Sequence, residues 1–447
     1  MSGSNQHQVN VHSRLTVVSS IPTEPTGHTT PLNPLDHTMG SHSVHIIYYY
    51  RTSPFSKQGR YAMDLDNVRI ALSDLLSKYP RMTGRLVRDV DGKWEVRYND
   101  AGVRMFKATV GTTMDEWLRS ADESDERNLT VWEDMPDGNP TSWSPFRIQI
   151  SEFEGGGLAI GISFPHLLAD PTSAVLFHKS WTDAEHGDPT GHDPPILILP
   201  PLHNRPSPTT TENTSTTIKY LQKNSKLSPI SSTKMATFSF KFSNTMIKQG
   251  LSKFADKCAN ATPFEYLTAL FWLQIIKLKT LMADSDTHSI SLCVDARKLL
   301  DVPIPMKFFE VVRLVHDHIN GIKKDDVVSM IDWLESSPEA IDGVYPKGVQ
   351  MYGPELTCVS LEHLMDPKGE FESLVYESKF RNNEKPVHVS YHVGKAEGVG
   401  LIIVAPSPEG GLSRTVTVTM PAEEVVKLCE DPVIMGMEPT MIVSGRR

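Results

Sequence analysis

From Asp188 to about Ser232 the sequence stops reading as a folded core. The run DPTGHDPPILILPPLHNRPSPTTTENTSTT is dense in proline, threonine and asparagine and holds one short apolar stretch. Proline fixes backbone and removes donors, and polar residues bury little, so such a stretch reads as an exposed linker. It divides a chain of 447 residues, and one hydrophobic core stops growing at roughly 250–300 residues. The expected organisation is an N-terminal lobe over residues 1–187, a crossover linker over 188–232 and a C-terminal lobe over 233–447.

Both halves carry strand and helix patterns. His45 to Tyr50 (HIIYYY) is a β-rich aromatic run that predicts a buried strand. Val68, Leu72, Leu75, Leu76 and Tyr79 recur at helical spacing, with Asp66 placed to cap and Pro80 to stop the helix. Asp91-Gly92 marks a hairpin. A second hairpin is predicted from FRIQISEF (146–153), through three glycines, into LAIGISF (158–164). In the C-terminal half Thr237 to Phe242 alternates as a strand. Thr262, Pro263 and Glu265 open a helix with a capping box. Strands are predicted near 289–295, 356–360, 387–393, 400–404 and 414–420, and a helix over Ala422 to Cys429. Mixed strands and helices give an α/β (α+β) class.

Charge and cysteine usage remove several function classes. The net charge is −10 with no lysine- or arginine-dense stripe, which speaks against nucleic acid, whose phosphates need a basic surface. Four scattered cysteines without CxxC spacing form neither a disulfide framework nor a zinc site, and a reducing compartment is expected. The N-terminal segment lacks the apolar run of a signal peptide. The longest apolar stretch, Tyr266 to Leu278, is short of the ~20 residues that span a bilayer. A cytoplasmic protein without a transmembrane segment is the expectation.

Among 17 histidines, only His166 has an aspartate four residues later. Its setting is more informative than its spacing. A strand ends at Phe164, Pro165 breaks the ladder, His166 begins a turn and a helix starts at Pro171. Strand ends are where rigid scaffolds present reactive groups. An imidazole there can take a proton from a hydroxyl or amine attacking an acyl carbonyl. Asp170 has a second reading, because preceding Pro171, Thr172 and Ser173 it is also a good helix N-cap. His42 with His45, and His388 with His392, are pairs without a nearby third ligand, so no metal site is expected. There is no Gly-x-Ser-x-Gly elbow and no phosphate-binding glycine loop.

Several motifs in order give the chain a resemblance to the plant BAHD acyl-CoA-dependent acyltransferases over nearly its whole length. They are Pro31-Leu32-Asn33-Pro34-Leu35-Asp36 with Tyr48-Tyr49-Tyr50, Tyr79-Pro80-Arg81-Met82-Thr83-Gly84-Arg85-Leu86, and the HxxxD of His166 to Asp170. Thr262 through Trp272 and Val294-Asp295-Ala296-Arg297 complete the set. The resemblance implies a two-lobed chloramphenicol acetyltransferase-like fold, each lobe a mixed sheet with helices. It implies acyl-CoA as co-substrate with no permanently bound cofactor, and a small-molecule alcohol or amine as acceptor. His166 would be the general base, Asp170 the structural support of its loop, and Arg297 an organiser of the neighbouring lobe.

One family motif is degraded. DFGWG should lie where this chain reads Ser390-Tyr391-His392-Val393-Gly394, and only the glycine remains. That loss resembles the eceriferum-type branch, whose members act with a fatty-acid condensing enzyme in very-long-chain elongation for cuticular wax. The alternative reading is therefore a non-catalytic accessory protein, peripheral at the endoplasmic reticulum, with a condensing enzyme as partner.

Overall fold

The computed structural model describes residues 7–40, 42–55, 65–136, 140–186, 233–253, 261–280, 290–293, 329–333, 352, 355–365, 373–380, 382–443 and 445. The 188–232 segment, the Val294–Arg297 motif and the Asp66 side chain lie outside the described residues.

Fifteen strands are described: β1 (Val9–Val17), β2 (Thr29–Pro31), β3 (Ser43–Tyr50), β4 (Arg85–Arg88), β5 (Trp94–Arg97), β6 (Val103–Thr113), β7 (Arg147–Glu154), β8 (Leu158–Pro165), β9 (Met235–Phe242), β10 (Ile290–Cys293), β11 (Leu356–Ser360), β12 (His388–Gly394), β13 (Gly400–Pro406), β14 (Arg414–Pro421) and β15 (Thr440–Ile442). They form two six-stranded sheets, ordered β1-β6-β7-β8-β3-β12 and β10-β11-β13-β14-β9-β15, and a small sheet β2-β5-β4. Each large sheet is mixed. The first pairs β6 with β7 in parallel and its other neighbours antiparallel, and the second runs β10, β11 and β13 in parallel. Mixed sheets with helices are what the sequence predicts.

The first sheet is covered on both faces, which explains why β3 and β8 are apolar almost throughout. Ile46, Tyr48 and Tyr50 face the largest core, with the helices Leu65–Leu76 and Pro171–His186 on that side. Ile47 and Tyr49 face a smaller core around Trp117 and Phe153. Period-2 side-chain alternation sends successive residues to opposite faces, so a strand buried on both faces reads as a continuous apolar run. The second sheet packs on the helix Pro263–Thr280 through Phe240, Phe242, Leu267 and Phe271. The predicted capping box at that helix is formed: Glu265 N donates to Thr262 Oγ1 at 3.2 Å and Thr262 N to Glu265 Oε2 at 3.0 Å.

One strand crosses the linear division at 187 and 233. β12, from the C-terminal side of the linker, is the outer strand of the first sheet, antiparallel to β3 from His388 opposite Tyr49 to Gly394 opposite Ser43. Strand membership in a sheet depends on long-range pairing, which a local pattern does not encode. This places the degraded motif beside the N-terminal signature strand.

Candidate active site

β8 runs buried from Leu158 to Pro165, and Pro165 still sits opposite Ser43 of β3. The next residue leaves the ladder. His166 N donates to the carbonyl of His42 at 2.8 Å, and Leu168 N turns back to the carbonyl of Pro165 at 2.9 Å. Asp170 ends the turn as a helix cap. Its Oδ1 accepts from Ser173 N at 2.8 Å and from Ser173 Oγ at 2.6 Å, at the start of the helix Pro171–His186. The strand and the helix thus fix both ends of a five-residue turn, and His166 is held between them.

His166 is buried. Burial lowers its pKa below the usual value, partly offset by the charges of Asp170 and Asp36 and by a hydrogen bond to its own carbonyl. With the ring proton on Nδ1, Nε2 keeps the lone pair that a base needs. Nε2 lies 3.0 Å from the hydroxyl oxygen of Tyr352. The imidazole is thereby oriented with Nε2 toward an O–H group.

A second histidine stands in the same pocket. His42 Nδ1 donates to the carbonyl of Gly394 at 3.1 Å, which leaves Nε2 as a buried lone pair with no hydrogen-bond partner among the described residues. Burial pushes its pKa down to about 4. Its ring lies 5.0 Å from that of Tyr352, and the His166 ring 5.8 Å from the same phenol. Gly394, the surviving residue of the degraded motif, has a spatial reason to be glycine. A Cβ there would meet Ser43 Oγ at 2.2 Å, so a side chain would force the Ser43 hydroxyl away from His45 Nε2, its partner at 2.9 Å.

Two sequence motifs meet beneath the site. Asn33 caps the helix Pro34–Thr38 in a capping box with Asp36, and Asp36 Oδ2 is 2.9 Å from Arg81 Nη2 of the Tyr79–Leu86 motif. Burial raises the Asp36 pKa against the opposing pull of Arg81.

On the opposite face of β12, the residues that replace the degraded motif build a buried polar network. Glu126 accepts from Tyr49 Oη at 2.6 Å, Ser390 Oγ at 2.5 Å and His392 Nε2 at 2.8 Å. His388 Nε2 lies 2.9 Å from Ser390 Oγ. Burial alone would raise the Glu126 pKa, but the His392 charge and the three donors bring it below the usual range. Burial likewise opposes charging of His392, and Glu126 overrides it so that its pKa is raised. His388 and His392 are four apart on a strand and so share a face. Among the described residues no group of three or more His, Cys, Asp or Glu side chains could hold a metal ion.

His166 and Asp170 are adjacent as the sequence places them. Tyr352 and Glu126 were not singled out from sequence, and His42 was read only as half of a histidine pair. Tyr352 is 186 residues from His166, and nothing in its local text announces the contact. For His42 a signal exists in retrospect, because it directly precedes the strand that pairs with β8.

Comparison with known proteins agrees with this architecture. Protein ECERIFERUM 2 of Arabidopsis thaliana is 25% identical over 434 residues, covering 92% of this chain and 96% of that protein. Shikimate O-hydroxycinnamoyltransferase of Nicotiana tabacum is 24% identical over 417 residues, covering 85% and 89%. The fold matches the crystal structure of F. graminearum TRI101 complexed with coenzyme A and deoxynivalenol, with TM-score 0.67 and 13% identity over 93% of this chain and 99% of that one. The family model described as "Transferase family" matches residues 7–310, and with the strand-end HxxxD turn in place the chain belongs to that family, the BAHD acyltransferases.

Proposed function

We propose that this protein moves an acyl group from a CoA thioester to the hydroxyl or amine of a small molecule, with His166 as general base. The observation that carries the reading is the placement of His166: a buried imidazole at the end of β8, heading the turn that Asp170 caps, with Nε2 3.0 Å from an O–H. In the reaction Nε2 removes the proton of the acceptor as its oxygen or nitrogen attacks the thioester carbonyl. The tetrahedral adduct collapses, the carbon–sulfur bond breaks, and the proton on Nε2 passes to the departing CoA thiolate. Base and acid are one nitrogen, and no group is left charged at the end of the cycle. Asp170 supports the turn as the cap of the following helix and, through its charge, tempers the loss of basicity that burial causes. His42 Nε2 supplies a second hydrogen-bond acceptor beside the base. F. graminearum TRI101, a structural neighbour, is complexed with coenzyme A, which supports a CoA thioester as donor.

A second reading is favoured by one feature. Where the family carries DFGWG, this chain has committed Ser390 and His392 to the Glu126 network, and ECERIFERUM 2 is among its relatives. That reading is a non-catalytic partner of a fatty-acid condensing enzyme. Co-expression with such an enzyme separates the two. Transfer as the function predicts that any change in acyl products is lost in His166→Ala. Longer acyl products that persist undiminished in His166→Ala support the accessory role instead.

A further inference from the structure

The transfer chemistry leaves Tyr352 without a part, yet the residue sits on the atom that matters most. Its hydroxyl is 3.0 Å from His166 Nε2 and its ring lies against His166 and His42. The residue is 4% exposed. Burial, with the nearby Cys293 and Asp170, raises the phenol pKa well above its usual value, so the group remains an O–H donor at any working pH. His166 Nε2 has one in-plane lone pair and can take one such donor.

We propose that Tyr352 is a built-in occupant of the acceptor's seat. Its phenol takes the lone pair of His166 Nε2 when no acceptor is bound and has to give it up before transfer. The contact is chemically that of an alcohol acceptor with its base, since a phenol O–H and a substrate O–H present the same donor to the same nitrogen. Both cannot occupy it together, so the acceptor binds in competition with a side chain of the protein. The inference rests on His166 being the base, but the occupancy itself is measurable without any acceptor.

Diethyl pyrocarbonate acylates the unprotonated imidazole lone pair, and the modified site can be read by mass spectrometry of digested protein. His42 is an internal reference, being as deeply buried as His166 but with Nε2 unpartnered. In the intact wild-type protein at pH 7, His42 is expected to react about tenfold faster than His166. In Tyr352→Phe the His166 rate rises about fivefold to tenfold toward that of His42, on the scale of one neutral hydrogen bond, while exposed His12 is unchanged. Equal rates at His166 in wild type and Tyr352→Phe, or wild-type His166 reacting as fast as His42, would overturn the proposal; the latter comparison stands even if the variant does not fold. Where turnover is measurable, Tyr352→Phe lowers the acceptor KM. A collapse of kcat with KM unchanged would also overturn it, by making the phenol part of the chemistry. If neither protein turns over, the modification rates still decide the occupancy and only the acyltransferase reading falls.

Discussion

A base is useful only in its unprotonated form, and burial favours that form for the role proposed for His166. Because burial lowers its pKa, the imidazole is neutral at pH 7 and stays so below the ~6.5 of an ordinary histidine. The acid limb of kcat/KM is therefore expected to have its midpoint below about 6.5, with activity full above it and lost as pH falls through it. Initial rates between pH 4.5 and 8 check this; a midpoint above 7 would mean that Asp170 and Asp36 outweigh burial. At this scale the sequence was half legible. The ending of β8, the turn and the cap at Asp170 are written in consecutive residues. The partners of His166 Nε2 and of His42 come from residues far along the chain, and only the folded topology brings them there.

At the scale of elements, the interface of β3 with β12 is held by a buried polar network around Glu126. The strand itself was legible, because His388 to Gly394 alternates between residues for two different faces. Val389 and Tyr391 join the main core, and Ser390 and His392 turn to Glu126. What was not legible is the sheet it enters, since register is set by a partner more than 300 residues away. Glu126 is buried and holds both ends of the interface, Tyr49 on β3 and Ser390 and His392 on β12. Removing one partner of a buried charged network leaves the others unsatisfied, at a cost of about 3–5 kcal/mol. Glu126→Ala is accordingly expected to lose that much in urea unfolding. A loss under about 1 kcal/mol would show that the network does not hold β12. Gly161, on β8, tells the same story sterically. A Cβ there would meet the carbonyl of Leu129 at 2.1 Å, so glycine is what lets the turn carrying Glu126 lie on the sheet.

For the whole molecule, two mixed sheets and their helices were readable from periodicity, caps and turns. The electrostatic consequence of packing them was not readable, because it depends on burial. Burial brings His37, His42 and His388 to about 4 and His178 to about 3. The unfolded chain protonates each near 6.5, so the unfolded state binds more protons between the two values. Stability supplied by these groups is present above about pH 6.5 and falls as pH drops toward 4, by up to ~1.4 kcal/mol per pH unit for each. Four such groups lose on the order of 5 kcal/mol per unit together, against a typical total of about 5–15 kcal/mol. Acid unfolding followed by tryptophan fluorescence should thus have its midpoint between about pH 4 and 5.5. His392 acts in the opposite sense: raised by Glu126, its contribution is complete at low pH and is lost as pH rises through its folded value. A protein still folded at pH 3 would contradict this balance.

The fold and the site converge on one atom, His166 Nε2, so the most direct measurement is the rate of thiol release from an acyl-CoA in the presence of a panel of alcohols and amines. It is made on the wild type and on His166→Ala, with unfolding curves confirming that both are folded. Loss of a positioned general base predicts a fall of about 10²–10⁴-fold in acceptor-dependent release. Release that continues at the wild-type rate in the alanine variant would contradict the assignment of His166.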